Sequence, residues 1–182
     1  MKISIVIPIK DAQQYLEETL RSIVSQKGEF ELEILIEDGL SKDQSLEIVD
    51  RILVHEMKAG NLDYMVHSQQ DSNLYEAVVR GLKKATGDIV TWISGTDFYM
   101  PNALSTVADV FDQNPGVEWI TGIPMSFNDK GQNVYSKLPV YYRNSLIQRG
   151  FYNGKSLHFI QQESCFFRKQ LIERIDLESI TQ

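Results

Sequence analysis

A single cysteine, Cys165, stands in the 182 residues. One cysteine excludes an internal disulfide framework and fits a reducing compartment, so the cytoplasm is the expected location. Its neighbours Phe166 and Phe167 suit a small buried residue better than a nucleophile. The histidines His55, His67 and His158 are too scattered to read as a metal cluster. No apolar run reaches the ~18–20 residues that span a bilayer, so no transmembrane segment is expected, and peripheral membrane association stays open. The opening run Ile3–Pro8 is too short for a signal-peptide core and reads as a buried strand. Positive charge is not in excess either: 18 basic against 25 acidic residues leave a net −7. That balance removes general nucleic-acid binding from the candidate functions. The glycine-rich phosphate loops are missing as well. Neither Gly-x-x-x-x-Gly-Lys-Ser/Thr nor Gly-x-Gly-x-x-Gly follows the first apolar run.

What remains is an ordinary soluble composition, 42% hydrophobic and 24% charged, long enough for one domain with a real core. Apolar β-branched runs alternate with helical patterns from the start. Ile3–Ile7 is a strand that Pro8 ends, because proline has no N–H to donate. Leu16, Leu20, Ile23 and Val24 predict a helix over about Ala12–Gln26. Leu32–Ile36 is a second strand. Ser45 is a candidate cap for a helix bearing Ile48, Val49, Ile52 and Leu53, closed near Gly60. A weaker strand at Leu62–Val66, a helix at Leu74–Ala85 and a strand at Ile89–Ile93 follow. A helix from Pro101 to about Asn114 and a strand at Val117–Ile123 complete the series. This order predicts an α/β fold with a mostly parallel sheet and right-handed crossovers. Later, Asn128–Gly131 is a hairpin turn, and Tyr141–Gly150 is a helix or loop. Short strands are expected at His158–Ile160 and Ser164–Phe167, then a last helix at Lys169–Ile175. No composition shift marks a boundary, so residues 1–182 read as a single domain. The tail Asp176–Gln182 offers no closing element, which suggests truncation at the C-terminus.

In open α/β sheets ligands bind at the carboxyl ends of the strands. Three acids fall there: Asp11 just past the first strand, Asp38 at the end of the second and Asp97 past the fourth. A carboxylate at Asp97 is placed to hold a hard cation, and that cation a diphosphate. Asp11 reads equally well as a helix cap. Arg80, one helix turn past Glu76, is a candidate charge-assisted donor to phosphate.

The ordered motifs carry a resemblance. Ser4-Ile5-Val6-Ile7-Pro8, then Leu20, Ser22, Ile23 and Gln26, then Asp38-Gly39-Leu40-Ser41-Lys42-Asp43, resembles the start of a family 2 inverting glycosyltransferase of bacterial polysaccharide type. Asp71, Tyr75, Ala77, Gly81, Ala85, Gly87, Asp88, Asp97 and Tyr99 match its next block in order and spacing. The resemblance covers nearly the whole chain. It implies the GT-A fold, a Rossmann-like three-layer α/β/α domain. It also implies transfer of a sugar from a nucleotide-diphospho-sugar, by default a UDP-sugar, to an acceptor hydroxyl with inversion. The expected acceptor is a glycan or lipid-linked glycan in surface-polysaccharide synthesis.

Site roles follow from the same resemblance. Asp38 is expected at the base and Asp97 at Mn²⁺ or Mg²⁺. Pro8, Ile9, Lys10, Asp71, Arg80 and Thr96 are expected around the nucleotide sugar. Gln162-Glu163-Ser164-x-Phe166 resembles a late family segment and makes Glu163 the expected general base. One departure is marked: the family's Asp-Asp pair is Thr96-Asp97 here, one negative charge fewer. That departure motivates a rival reading, a GT-A domain that binds nucleotide sugar or glycan without turnover. A sugar nucleotidyltransferase would need a glycine-rich basic loop, and Pro8-Ile9-Lys10-Asp11 has no glycine. Trp119, Tyr141, Tyr142 and Tyr152 are candidate sugar-stacking rings, with core and rim packing as the plainer reading.

Overall fold

The computed structural model describes residues 1–60, 62–136 and 142–180. Tyr141 therefore lies outside the described residues. Strands β1 (Lys2–Ile9), β2 (Glu31–Asp38), β3 (Leu62–Ser68) and β4 (Ile89–Trp92) alternate with helices α1 (Leu16–Val24), α2 (Ser45–Lys58) and α3 (Leu74–Lys84). Helix α4 (Ala103–Gln113) and β5 (Trp119–Thr121) follow. Then come β6 (Met125–Phe127), β7 (Asn133–Ser136), α5 (Asn144–Gln148), β8 (Cys165–Arg168) and α6 (Lys169–Glu173). The six-stranded sheet runs β3-β2-β1-β4-β8-β5, and β6-β7 form a separate hairpin. β1 pairs in parallel with β2 and β4, β2 pairs in parallel with β3, and β8 runs antiparallel to β4.

Continuous apolar strands form the sheet centre because both faces are covered. Seven of the eight residues in β1 and in β2 are buried. Val6, Leu35 and Val90 pack with Val78 and Leu82 of α3 and Ile172 of α6. Strand alternation sends Ile5 and Ile7 to the opposite face. Helix α3 approaches β1 closely because Gly81 has no side chain; a Cβ there would lie 2.3 Å from Val6 Cγ1. The chain forms two compact units, Met1–Trp119 with Phe166–Gln182, and Ile120–Cys165.

Several boundaries differ from the sequence expectation. Helix α1 begins at Leu16, four residues later than the periodicity suggests, because Asp11 takes a left-handed conformation at φ 48° and turns the chain. Ser45 is the first residue of α2 and not its cap; Asp43 Oδ1 accepts its N–H (2.9 Å) and hydroxyl (2.6 Å). No strand forms at His158–Ile160. That stretch follows a closed loop in which Leu157 N–H donates to Phe151 O and Gly154 N–H to Leu157 O. The expected hairpin turn is present, with Asn128 Oδ1 accepting the N–H groups of Lys130 and Gln132.

Candidate active site

The carboxyl ends of β1, β3 and β4 bound a cleft of about 450 Å³ in the first unit. Its lining includes Pro8, Ile9 and Lys10 from the end of β1, Asp71 and Asn73 ahead of α3, and Thr96 past β4. Of the residues expected at the nucleotide sugar, Pro8, Ile9, Lys10, Asp71 and Thr96 are thus brought together. Asn73 also accepts the N–H groups of Tyr75 and Glu76 and so caps α3 beside the cleft.

The loops after β1 and β2 are sewn to one another. Asp11 N–H donates to Ser41 Oγ (3.0 Å), and Lys42 N–H returns to Asp11 Oδ1 (2.7 Å). Ala12 N–H donates to Ser45 Oγ and Gln13 N–H to Asp43 Oδ2. Reciprocal short-range bonds of this kind fix loop backbone that has no ladder to join. Asp11 is therefore a structural tie between the loops.

Asp38 sits at the root of this web and is fully buried. Its Oδ1 accepts from Ser41 N–H (3.0 Å) and Ser41 Oγ (2.5 Å), and its Oδ2 from Ser68 Oγ. Through Ser41, Asp38 shapes the loop that follows β2. Ser41 and Ser68 went unnoticed in the sequence because serine in a turn carries no distinctive signal.

Glu37 was also passed over, although an acid directly after the apolar run Ile34-Leu35-Ile36, still within the strand, is a visible anomaly. It is buried and gathers Arg80 Nε, Lys84 Nζ (2.8 Å) and His67 Nδ1 (3.1 Å). The Arg80 guanidinium bridges onward to Asp71 Oδ1 at 2.7 Å. The residue expected to reach phosphate thus spends its donors on two carboxylates. Burial alone would lower its proton affinity, yet the Glu37 and Asp71 partners hold it higher. Asp71 is the member of this chain that faces the cleft.

Asp97 is the contrasting acid. Burial pushes its carboxyl above the usual range, and a backbone hydrogen bond with Ser94 only partly offsets this. Among the described residues no basic side chain pairs with it. Among the described residues no group of three or more His, Cys, Asp or Glu side chains is placed to hold a metal ion. One carboxylate can still anchor a hard cation when phosphate oxygens and water complete the shell. A desolvated acid without a countercharge fits that donor set. Glu163 belongs to the second unit, in a 3-10 turn over Gln162–Ser164, half-buried. Tyr142 and Tyr152, in the same unit, pack edge to face at 5.1 Å. Trp119, in the first unit, stacks on Phe167 at 6.2 Å, which matches the packing reading for that ring. Burial raises the Cys165 thiol to about 11, so it stays neutral, as expected of a buried structural cysteine.

A family model described as glycosyl transferase family 2 matches residues 4–176. The chain therefore belongs to glycosyl transferase family 2. It is 30% identical over 112 residues to an uncharacterized glycosyltransferase of Haemophilus influenzae, covering 62% of this chain and 43% of that one. It is 26% identical over 117 residues to the poly(ribitol-phosphate) beta-N-acetylglucosaminyltransferase TarS of Staphylococcus aureus, covering 63% of this chain and 19% of that one. The chain spans about half the length of several curated relatives it matches. Among solved structures, S. aureus TarS 1–349 in complex with UDP-GlcNAc aligns with a TM-score of 0.67 at 22% identity, over 95% of this chain and 47% of that one. A mannosyltransferase of Pyrobaculum calidifontis in complex with GDP-Man and Mn²⁺ aligns with a TM-score of 0.64 at 17% identity, over 96% and 46%. These likenesses establish the GT-A fold: a mixed α/β domain with a mostly parallel central sheet flanked by helices.

Proposed function

We propose that the chain is an inverting, metal-assisted glycosyltransferase that takes a nucleotide-diphospho-sugar, by preference a UDP-sugar, as donor. The carrying observation is Asp97: a desolvated carboxylate without a basic partner among the described residues, one residue past the Thr96 wall of an open cleft. Desolvating a charge is costly unless a ligand returns the lost interaction. In this reading Pro8, Ile9 and Lys10 border the nucleotide, and Asp71, held by Arg80, accepts from an N–H or hydroxyl of the nucleoside. Asp38 acts through Ser41 and Ser68 by fixing the loop after β2. Asp97 holds Mn²⁺ or Mg²⁺, which when bound would neutralise the diphosphate as it leaves. The acceptor oxygen attacks the anomeric carbon opposite the diphosphate. The carbon–oxygen bond to the diphosphate breaks with its electron pair on the leaving oxygen. Glu163 takes the acceptor's proton. The acceptor would be a glycan, free or lipid-linked.

A thermal-shift screen of UDP, GDP, CDP and ADP with and without Mn²⁺ tests the donor half, because a ligand of the native state raises the melting point by mass action. UDP with Mn²⁺ should give the largest rise, and Asp97→Asn should abolish the metal-dependent part. If no nucleotide diphosphate moves the melting point, the reading is wrong. Thr96 favours a second reading, a domain that binds the donor without turnover. Release of UDP from a UDP-sugar by the purified chain would exclude it.

A further inference from the structure

The two units carry opposite charge. Residues 120–165 hold five basic and two acidic side chains, net +3; the rest of the chain holds thirteen and twenty-three, net −10. In the first unit Lys2, Arg21, Arg51, Arg80, Lys84 and Arg174 sit in ion pairs, and the exposed cations Lys10, Lys27, Lys42 and Lys58, which have none among the described residues, stand on a surface that is acidic as a whole. In the second unit Lys130, Arg143, Arg149 and Lys155 are exposed, and none has a carboxylate partner among the described residues. Arg149 lies instead over the Phe151 ring, 4.9 Å from its centroid.

Large apolar side chains are exposed among these cations: Ile123, Met125, Val134, Tyr135, Leu157 and Phe159, the last 61% exposed. Three belong to the β6–β7 hairpin. Met125 pairs with Ser136 and Ser126 with Tyr135, so Met125 and Tyr135 stand on opposite faces. A two-stranded hairpin that is apolar on both faces is poorly stable in water by itself. A lipid headgroup layer, which surrounds what inserts into it, can bury both of its faces at once.

We propose that residues 123–135 and 143–159 of this unit form an interfacial surface that binds the headgroup region of an anionic lipid bilayer. Unpaired cations supply attraction to acidic phospholipid, and aromatic and aliphatic side chains enter the headgroup–acyl boundary. An anionic polymer would use the same cations, yet it has no place for Met125, Tyr135 and Phe159. Among the described residues no helix is long and apolar enough to cross a membrane.

Vesicle sedimentation of the full chain decides this. At low salt it should bind phosphatidylglycerol–phosphatidylcholine vesicles and leave pure phosphatidylcholine vesicles in solution. Each cation near an anionic surface is worth roughly fivefold in binding, so R143E/R149E/K155E should weaken binding by about 100-fold. Y135S/F159S should weaken it by at least about tenfold, since each large apolar side chain buried is worth that much. The control K27E/K58E, in the first unit, should bind as the parent does. Circular dichroism and the UDP thermal shift on each variant check that the fold is kept. The donor reading thus stands or falls separately from this one. No binding to the anionic vesicles overturns the proposal. So does equal capture by soluble polyphosphate with no loss in Y135S/F159S, which would assign the surface to an anionic polymer.

Discussion

At the amino end of the parallel sheet, Glu33 accepts from Ser4 Oγ, from both the N–H (2.7 Å) and hydroxyl of Thr86, and from Lys2 Nζ at 3.2 Å. At the carboxyl end, Asp97 has the Ser94 backbone as its one hydrogen-bonding support among the described residues. Burial pushes both carboxyls upward. For Glu33 the surrounding donors outweigh it and bring the carboxyl from 4.5 down to about 2; for Asp97 they do not. One fold thus holds a satisfied buried acid and a frustrated one at opposite ends of the same sheet. Acids of the second kind cluster at functional sites, where a ligand can supply the missing interaction. Glu37 and Asp38 show that position alone is not the cause, because both lie at the carboxyl end and both are fully supplied with donors.

The sharpest break in this contrast is Asp97→Asn. If Asp97 serves a cation at the leaving group, the substitution should lower sugar transfer by about 10³-fold, close to 4 kcal/mol of barrier. It should leave the unfolding midpoint of the free chain unchanged or raised, because a desolvated charge is removed. Turnover from a UDP-sugar in Mn²⁺ together with a urea titration reads both. Retained turnover, or a clear loss of stability, would make Asp97 an ordinary structural acid.

Glu33→Gln should do the reverse. Lowering a carboxyl from 4.5 to about 2 corresponds to about 3 kcal/mol of native-state preference for the charged form. That stability is fully present above pH 4.5 and is lost as the pH falls toward 2. The variant should lose about 3 kcal/mol near neutrality and show a flatter acid limb between those pH values, with UDP binding intact. Unfolding midpoints followed by circular dichroism from pH 7 to 2 check the sign. Gly87→Ala strikes the same cluster through space. A Cβ there would lie 2.6 Å from Ser4 Oγ and 2.8 Å from Lys2 O, and the backbone has little room to yield. A loss of about 2 kcal/mol is expected, again without change in nucleotide binding.

Much of this was legible in the sequence, for identifiable reasons. The buried strands announced themselves as unbroken apolar runs, since both faces of a parallel sheet are dry. Glycine at position 81 and the order of acidic strand ends pointed to the fold and the rim. What stayed hidden depends on partners distant in sequence. Nothing local to Asp38 points to Ser68, thirty residues away, as the donor to its carboxylate. Arg80 looks like a phosphate donor until Glu37, forty-three residues back, is seen to claim it. The late start of α1 follows from a left-handed Asp11, a conformation that the helical spacing of Leu16, Leu20 and Ile23 does not reveal.

Thr96→Asp gives the smallest expected effect and the finest test of the contrast. The side chain is exposed and lines the cleft, so a second acid is tolerated sterically. It would add a like charge beside Asp97, whose carboxyl burial already holds above the ordinary 3.8. Like charge raises that carboxyl further. A raised carboxyl binds its proton more tightly in the folded chain than in the unfolded one. Stability therefore falls as the pH climbs from the ordinary value through the raised one, and the deficit persists at neutrality. The variant should melt about 1–2 °C below the parent at pH 7 without metal, a cost of about 0.5 kcal/mol. The difference should close near pH 3, where both acids are protonated. Mn²⁺ should reverse the order at pH 7, because two carboxylates attract the cation more strongly than one. If Mn²⁺ stabilises parent and variant equally, the frustrated end of the sheet is not a cation site, and the missing acid at position 96 has no bearing on metal.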